Sequence, residues 1–265
     1  MHAQLRSLLL SCSFVGAGML VAGCETNPVT GRSQVMLVSE EQAQSASAQA
    51  YAKTVSQARS QRKLDTNSAS AARVQRITSR LVAQAEKIIP ASADWQWQVH
   101  VIEDSSVNAW CMPGGKMAVY TGLIQKINPT DDELAQVMAH EISHALLQHG
   151  RERMSRAVAT NAALTLGSIA TGVNLSGLEN VAMVALELPN SRTGETEADR
   201  LGIEIAARAG YNPNAAISLW QKMAKLSGGS GAPEWLSTHP SDQTRIANLQ
   251  QLVPKMTPLY QAARH

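Results

Sequence analysis

Apolar positions recur every three or four residues through most of the chain, and alternate in one stretch near its middle. Val74, Ile77, Leu81, Val82, Ala85 and Ile88 fall on one face of a helix over 71–89, which Pro90 ends. Ahead of it, Ser39 with Glu40 and Glu41 opens a helix that continues through an Ala/Gln-rich stretch to Arg62. Trp95, Trp97, Val99 and Val101 then alternate with Gln96, Gln98 and His100, the pattern of a half-buried strand that turns His100 to solvent. Asn108 to Met112, a Pro113-Gly114-Gly115 turn and Met117 to Tyr120 complete a hairpin, so residues 95–121 predict a small antiparallel sheet.

The next helix carries its own start and stop. Thr130 and Glu133 form a capping box, and Asp131, Asp132 and Glu133 place negative charge where the helix dipole favours it. Leu134, Val137, Met138, Ala145 and Leu146 make its buried stripe, and Gly150 closes it. Residues 157–188 are apolar but broken by Gly167, Gly172, Asn174 and Gly177. They read as two core helices with a glycine-rich link, or as a mobile flap or bilayer-contacting surface, and are too interrupted for a membrane span. Further helices follow from Asn190 to Arg208, from Pro213 to Leu226, and from near Asp242. The pattern as a whole is α+β and mainly helical.

The N-terminus reads as an address. After Arg6, Leu8 to Ala22 has the length of a signal-peptide apolar region and ends in Val21-Ala22-Gly23-Cys24, which resembles a bacterial lipobox. On that reading residues 1–23 are a lipoprotein signal peptide, Cys24 is the lipidation site and 24–38 form a lipidated tether. Residues 39–265 form the functional domain. Glu25, where an Asp would favour retention, points to the outer membrane facing the periplasm. Cys12 is lost with the signal and Cys24 is acylated, leaving Cys111 as a small buried residue with no disulfide partner. The net charge of +2 and the absence of a basic run give no reason to expect nucleic acid. Hydrophobic residues at 44% and charged ones at 17% exclude general disorder.

The candidate chemistry lies in the capped helix. His140-Glu141-Ile142-Ser143-His144 is an HExxH motif: histidines four apart share a helix face and converge on one zinc, with Glu141 beside them as general base. A catalytic zinc needs a third protein ligand and an open position. Glu195 is the candidate, and Asp199 one turn later can hold the free ring N–H of a ligand histidine. Glu197, off that helical phase, is the alternative ligand. His149 reads as a cation at the end of the HExxH helix.

Five stretches in order resemble one known family. They are Asn27-Pro28-Val29-Thr30-Gly31-Arg32, Asn108-Ala109 with Pro113-Gly114-Gly115, HExxH, Glu195-x-x-Ala198-Asp199, and Thr238-His239-Pro240 followed by Arg245. The chain resembles the HtpX-like, CaaX-prenyl-protease-related zinc metallopeptidases, and within them the periplasmic lipoprotein branch typified by BepA and LoiP. The resemblance implies a gluzincin-type zincin fold with one zinc ion on His140, His144 and Glu195. It implies that Asn108, Ala109 and Trp110 form the edge on which a peptide substrate lies by strand addition. It also implies that His239 and Arg245 stand at the metal cleft, stabilising the oxyanion, or that His239 caps the metal at rest. The expected activity is endoproteolysis of misfolded or unassembled envelope proteins in extended form, with envelope assembly machinery as a possible partner and a lipid anchor in the membrane. A chaperone or assembly factor with a latent zinc site stays open, as does a purely structural zinc.

Overall fold

The computed structural model describes residues 23–164, 177–227, 234–239 and 243–264. The apolar run before Gly23, the centre of the 157–188 stretch, and Pro240 lie outside the described residues.

The first described element differs from a tether. Strands β1 (Cys24–Thr26) and β2 (Ser33–Val35) pair antiparallel, with Glu25 opposite Gln34. Between them the Asn27 carboxamide oxygen accepts from the backbone N–H of Val29 and Thr30, and Gly31 takes a φ of 71°. The other end of the same side chain donates to the Leu147 carbonyl at 3.0 Å. Arg151 grips the segment from below, donating to both Glu25 oxygens and to the Val38 carbonyl. The stretch looked like a linker because it is polar. Those polar groups are instead spent on satisfying buried partners on the domain.

Helix α1 (Glu40–Ser60) starts at Ser39 with a capping box to Gln42, and α2 (Ala69–Ile88) starts at Ser68. Between them runs β3 (Leu64–Asp65). A 3-10 turn at Pro90–Asp94 leads into β4 (Gln98–Ile102), β5 (Ala109–Met112) and β6 (Lys116–Tyr120). The hairpin β5–β6 forms as expected, turning on Gly114 and Gly115 at φ of 78° and 77°. A Cβ on Gly115 would also come within 2.5 Å of the Trp97 ring. The strand order is β3-β4-β6-β5, and β4 pairs with β6 in parallel, so the sheet is mixed rather than wholly antiparallel. Alternation fixes which face a side chain takes but not which strand lies beside it.

Both faces of this sheet are covered. Ala109, Cys111, Met117 and Val119 point into the main core with α2 and α4 (Asp131–Leu146). Trp110, Met112 and Ala118 point the other way, against α1, α5 (His149–Leu164) and α6 (Leu178–Glu187). Burial on two sides explains why β5 and β6 read as near-continuous apolar runs. It also corrects His100: α1 lies over its face, and its Nδ1 sits 2.7 Å from the Tyr51 hydroxyl in a half-buried position.

The short α3 (Thr121–Ile127) joins the sheet to α4, the hub of the domain. Every residue of α4 from Glu133 to Leu146 is buried, among α2, β5, α7 (Arg192–Arg208) and α8 (Ala215–Ser227). Gly150 does not close this helix. It ends at Leu146, Gln148 turns the chain at a φ of 61°, and α5 begins one residue on. Gly150 sits in the first turn of α5, where a Cβ would lie 3.1 Å from the Pro113 ring, so its role is close approach. Helices α9 (Glu234–Thr238) and α10 (Gln243–Ala262) complete the described chain. Among the described residues no helix is long and apolar enough to cross a membrane.

Candidate active site

Helix α4 carries His140, Glu141 and His144, and the last two line a cleft together with Ala109, Trp110 and Cys111 of β5. Helix α7 crosses it and delivers Glu195 and Asp199 from successive turns. Its start is set by Ser191, whose hydroxyl accepts from the Gly194 N–H. Gly202 lets the two helices touch, since a Cβ there would stand 3.0 Å from both the N and Cα of His140. Backbone cannot yield as a side-chain tip would. Gly202→Ala is therefore expected to push α7 off α4 and cost about 1–3 kcal/mol. The same displacement lowers metal affinity, which thermal melts and metal titration on the one variant would show together.

The structure brings four candidate ligands together, three histidines and one glutamate. One donor atom from each of His140, His144, Glu195 and His239 lies within 4.8 Å of the others, and all four residues are buried. His140 Nε2 and His144 Nε2 are 3.0 Å apart, His144 Nε2 is 3.2 Å from Glu195 Oε1, and His140 Nε2 is 3.5 Å from Glu195 Oε2. Tetrahedral zinc with bonds of about 2.0–2.1 Å needs ligand atoms about 3.3 Å apart, and these separations, the two to Glu195 running to different carboxylate oxygens, lie close to that. Both Glu195 oxygens are shut off from solvent, so the charge of this carboxylate depends on the groups around it: the Arg245 guanidinium 2.5 Å from Oε2 and the nitrogens of His144 and His140 at 3.2 and 3.5 Å. The donor set and the spacing fit zinc.

The field of the cluster is uneven. Burial opposes charge on His140, yet hydrogen bonds to Asp199 and Glu195 carry its pKa up to about 9. Burial and the neighbouring His140 hold His144 well below the ordinary histidine value. Burial would raise Glu195, but the charge of His239 and the hydrogen bonds of both ligand histidines hold it well below the carboxylate range. A metal taking His140 Nε2 displaces a proton from it, so zinc uptake releases acid. Glu141 is likewise opposed by burial and held at about 2 by His239, His140 and His144, which leaves it ionised at neutral pH.

The neighbours of the cluster divide by the atom they hold. Asp199 accepts from His140 Nδ1 at 3.0 Å, turning Nε2 toward the cluster. Arg245 donates to both Asp199 oxygens at 2.7 Å, stands 2.5 Å from Glu195 Oε2, and lies 4.0 Å over the Trp220 ring. That position differs from the expected oxyanion donor. The guanidinium is buried behind the ligands and holds two carboxylates in place. His239, at the end of α9, has Nδ1 3.0 Å from the Trp235 carbonyl and Nε2 3.3 Å from Glu141 Oε1.

Trp235, His149 and Glu197 complete the surroundings of the cluster. Trp235 donates its indole N–H to Glu141 Oε1 at 2.8 Å and stacks on His239 with centroids 4.6 Å apart. Nothing in the sequence around it separates this tryptophan from a core one. His149 is no helix-end cation: it opens α5, is buried, and its Nδ1 lies 2.8 Å from His144 Nδ1. Glu197, the alternative ligand, is bonded to His149 Nε2 at 3.0 Å and stands outside the ligand cluster. The spacing of five from His144 to His149 carried the signal only if the helix broke between them.

Asn108, Ala109 and Trp110 line a cavity of about 40 Å³ with Glu141, His144 and His239, room for water but not for a peptide. Part of the β5 edge is taken. The Val107 carbonyl accepts from the Trp235 N–H, and the Asn108 carboxamide donates to Glu234.

Residues 68–253 match the sequence profile of Peptidase family M48. The chain is 35% identical over 185 residues to the mitochondrial metalloendopeptidase OMA1 of Schizosaccharomyces pombe, covering 69% of this chain and 52% of that protein. It is 30% identical over 245 residues to the mitochondrial metalloendopeptidase OMA1 of Bos taurus, covering 87% and 46%. It is 29% identical over 191 residues to the beta-barrel assembly-enhancing protease of Yersinia pestis, covering 68% and 38%. The chain thus spans about half the length of these mitochondrial relatives. They do not single out the BepA-type branch, and they overturn the expected location. A periplasmic protein lipid-anchored to the outer membrane was read from a short apolar run and one cysteine, whereas the OMA1 relatives from S. pombe and B. taurus are mitochondrial. A run of that kind reports an apolar N-terminus without naming the membrane. Matched across 68–253, the span that holds the whole histidine–glutamate cluster, the chain belongs to peptidase family M48, a family of zinc metalloproteases.

Proposed function

We propose that the chain is a zinc-dependent endopeptidase acting on extended, unfolded polypeptide. The observation that carries this is the three-ligand spacing of His140, His144 and Glu195 with the ionised Glu141 beside it. Bound zinc supplies a Lewis acid and makes water acidic enough to attack a carbonyl at neutral pH. Glu141 accepts the proton of the attacking water and passes it to the departing amine, so no covalent intermediate forms. Asp199 keeps His140 in the tautomer that leaves Nε2 free, and Arg245 fixes Asp199 and Glu195 from behind. Asn108 to Trp110 take the substrate main chain, which reads extended backbone more than side-chain identity. That is the support for unfolded substrates. The narrower version, misfolded or unassembled envelope proteins and their assembly machinery, is supported by the similarity to the beta-barrel assembly-enhancing protease of Y. pestis.

Three observations together favour a second reading, a chaperone or assembly factor whose zinc site is latent. The cavity is too small for a peptide, His239 stands among the ligands, and α9 is bonded to the start of the substrate edge. On the peptidase reading α9 and His239 withdraw when substrate enters. A digest of a reduced, alkylated protein, with and without 1,10-phenanthroline, separates the two. Cleavage that stops with chelator and returns with zinc is the expected result. Cleavage indifferent to the chelator removes the zinc mechanism, and suppressed aggregation without cleavage supports the latent site.

A further inference from the structure

A second set of charges lies against the ligand cluster, part-buried at Arg32 and Glu197 and buried at Glu152. It begins in the N-terminal segment. The Asn27 turn aims Arg32 between α5 and α7, where Nη1 and Nη2 donate to the two Glu152 oxygens at 3.1 and 2.8 Å. Nε donates to both Glu197 oxygens at 3.1 Å. Gln34 adds bonds to Glu152 at 3.1 Å and to the Leu147 carbonyl at 3.0 Å. Glu197 in turn meets His149 Nε2, and His149 Nδ1 meets His144 Nδ1.

Proton positions along this chain follow from its far end. A His144 that offers Nε2 to a metal carries its proton on Nδ1 and donates there. His149 Nδ1 must then accept, which places the His149 proton on Nε2, facing Glu197. Glu197 accepts it as a carboxylate, and its charge is balanced by Arg32. Each bond has one consistent donor, and reversing any of them turns a lone pair onto a lone pair.

We propose that Arg32 is a positioning residue for the metal site, holding Glu197 so that His149 fixes the tautomer and ring orientation of His144. This rests on His144 being a zinc ligand, as proposed above. The catalytic unit on this view begins with the β1–β2 segment rather than at residue 39, because part of the support for the metal is built from it. The interaction spans 165 positions in sequence and joins the first described element to the last ligand helix. A fork-shaped guanidinium reaching two carboxylates at once is also a role lysine does not fill.

The test is zinc affinity, measured by competition with a chromophoric chelator, alongside far-UV circular dichroism. Arg32→Met is expected to weaken zinc binding about 10- to 100-fold with the helix content unchanged. Glu25→Ala is the comparator: it removes the segment's other ion pair, to Arg151, without touching the relay. It should leave zinc affinity within about twofold. The double variant Arg32→Met/Glu197→Ala should bind zinc no more weakly than the worse of the two single ones, because both act through one bond path. Should Arg32→Met fail to fold, Glu197→Ala carries the same expectation, since the clamp on Glu152 remains. The proposal is overturned if the relay variant that folds binds zinc as wild type does. It is equally overturned if Glu25→Ala loses as much as Arg32→Met. Failure of the peptidase reading looks different: wild type itself would take up no zinc, or His144→Ala would bind it undiminished.

Discussion

Glu141→Gln is expected to lower kcat for an unfolded substrate by about 100- to 10,000-fold, the range general base catalysis supplies. KM and zinc content should stay close to wild type. The amide has the shape of the carboxylate and keeps an oxygen for the Trp235 indole N–H, so the packing around α4 has no cause to change. What it loses is basicity. Glu141 is fully buried, and burial by itself pushes its pKa up. The histidines around it hold its pKa at about 2 and keep it ionised. A neutral amide in that field cannot take a proton from water. Kinetics on a quenched fluorescent polypeptide, with metal analysis of the same sample, gives both readouts. An unchanged kcat would mean that another group is the base, with His239, 3.3 Å away, next in line.

What could be read from the sequence was local. The caps at Ser39 and Thr130, the stripe on α2 and the hairpin glycines each depend on residues a few positions apart. The HExxH pair and the Glu195–Asp199 pair belong to the same class, since helical spacing of four places both on one side. What escaped depends on partners far along the chain. The parallel pairing of β4 with β6 is a choice among neighbours that alternation does not encode. His100 was placed in solvent because nothing in 95–101 announces that α1 covers it. His149 was misread because the break after Leu146 is made by Gln148 in a left-handed conformation, which glutamine rarely advertises. Arg32 lies in a segment that reads as a tether, and its partners Glu152 and Glu197 stand 120 and 165 positions further along the chain.

Glu195→Ala is expected to empty the site. With the carboxylate gone, the negative charge facing the cation is lost, and of the three histidines that remain His239 is already engaged by Glu141 at 3.3 Å. Purified against buffered zinc, wild type should carry about one ion per chain and the variant close to none, with cleavage falling to background. Glu197→Ala is the paired control. It weakens affinity through His149 yet fills at saturating zinc and regains cleavage there, because its own oxygens meet His149 and Arg32 rather than the metal. Stability offers an independent measure. Zinc that binds only the folded state raises stability by about 4 kcal/mol when present at a thousand times its Kd. Wild type should therefore melt higher with zinc than without, and Glu195→Ala should show no such rise. Arg245 keeps its two bonds to Asp199 in that variant, so the metal-free fold should survive the substitution. If zinc and its stabilisation are lost in Glu197→Ala and kept in Glu195→Ala, the ligand is Glu197. The His149 relay would then have to be rebuilt around a different acceptor.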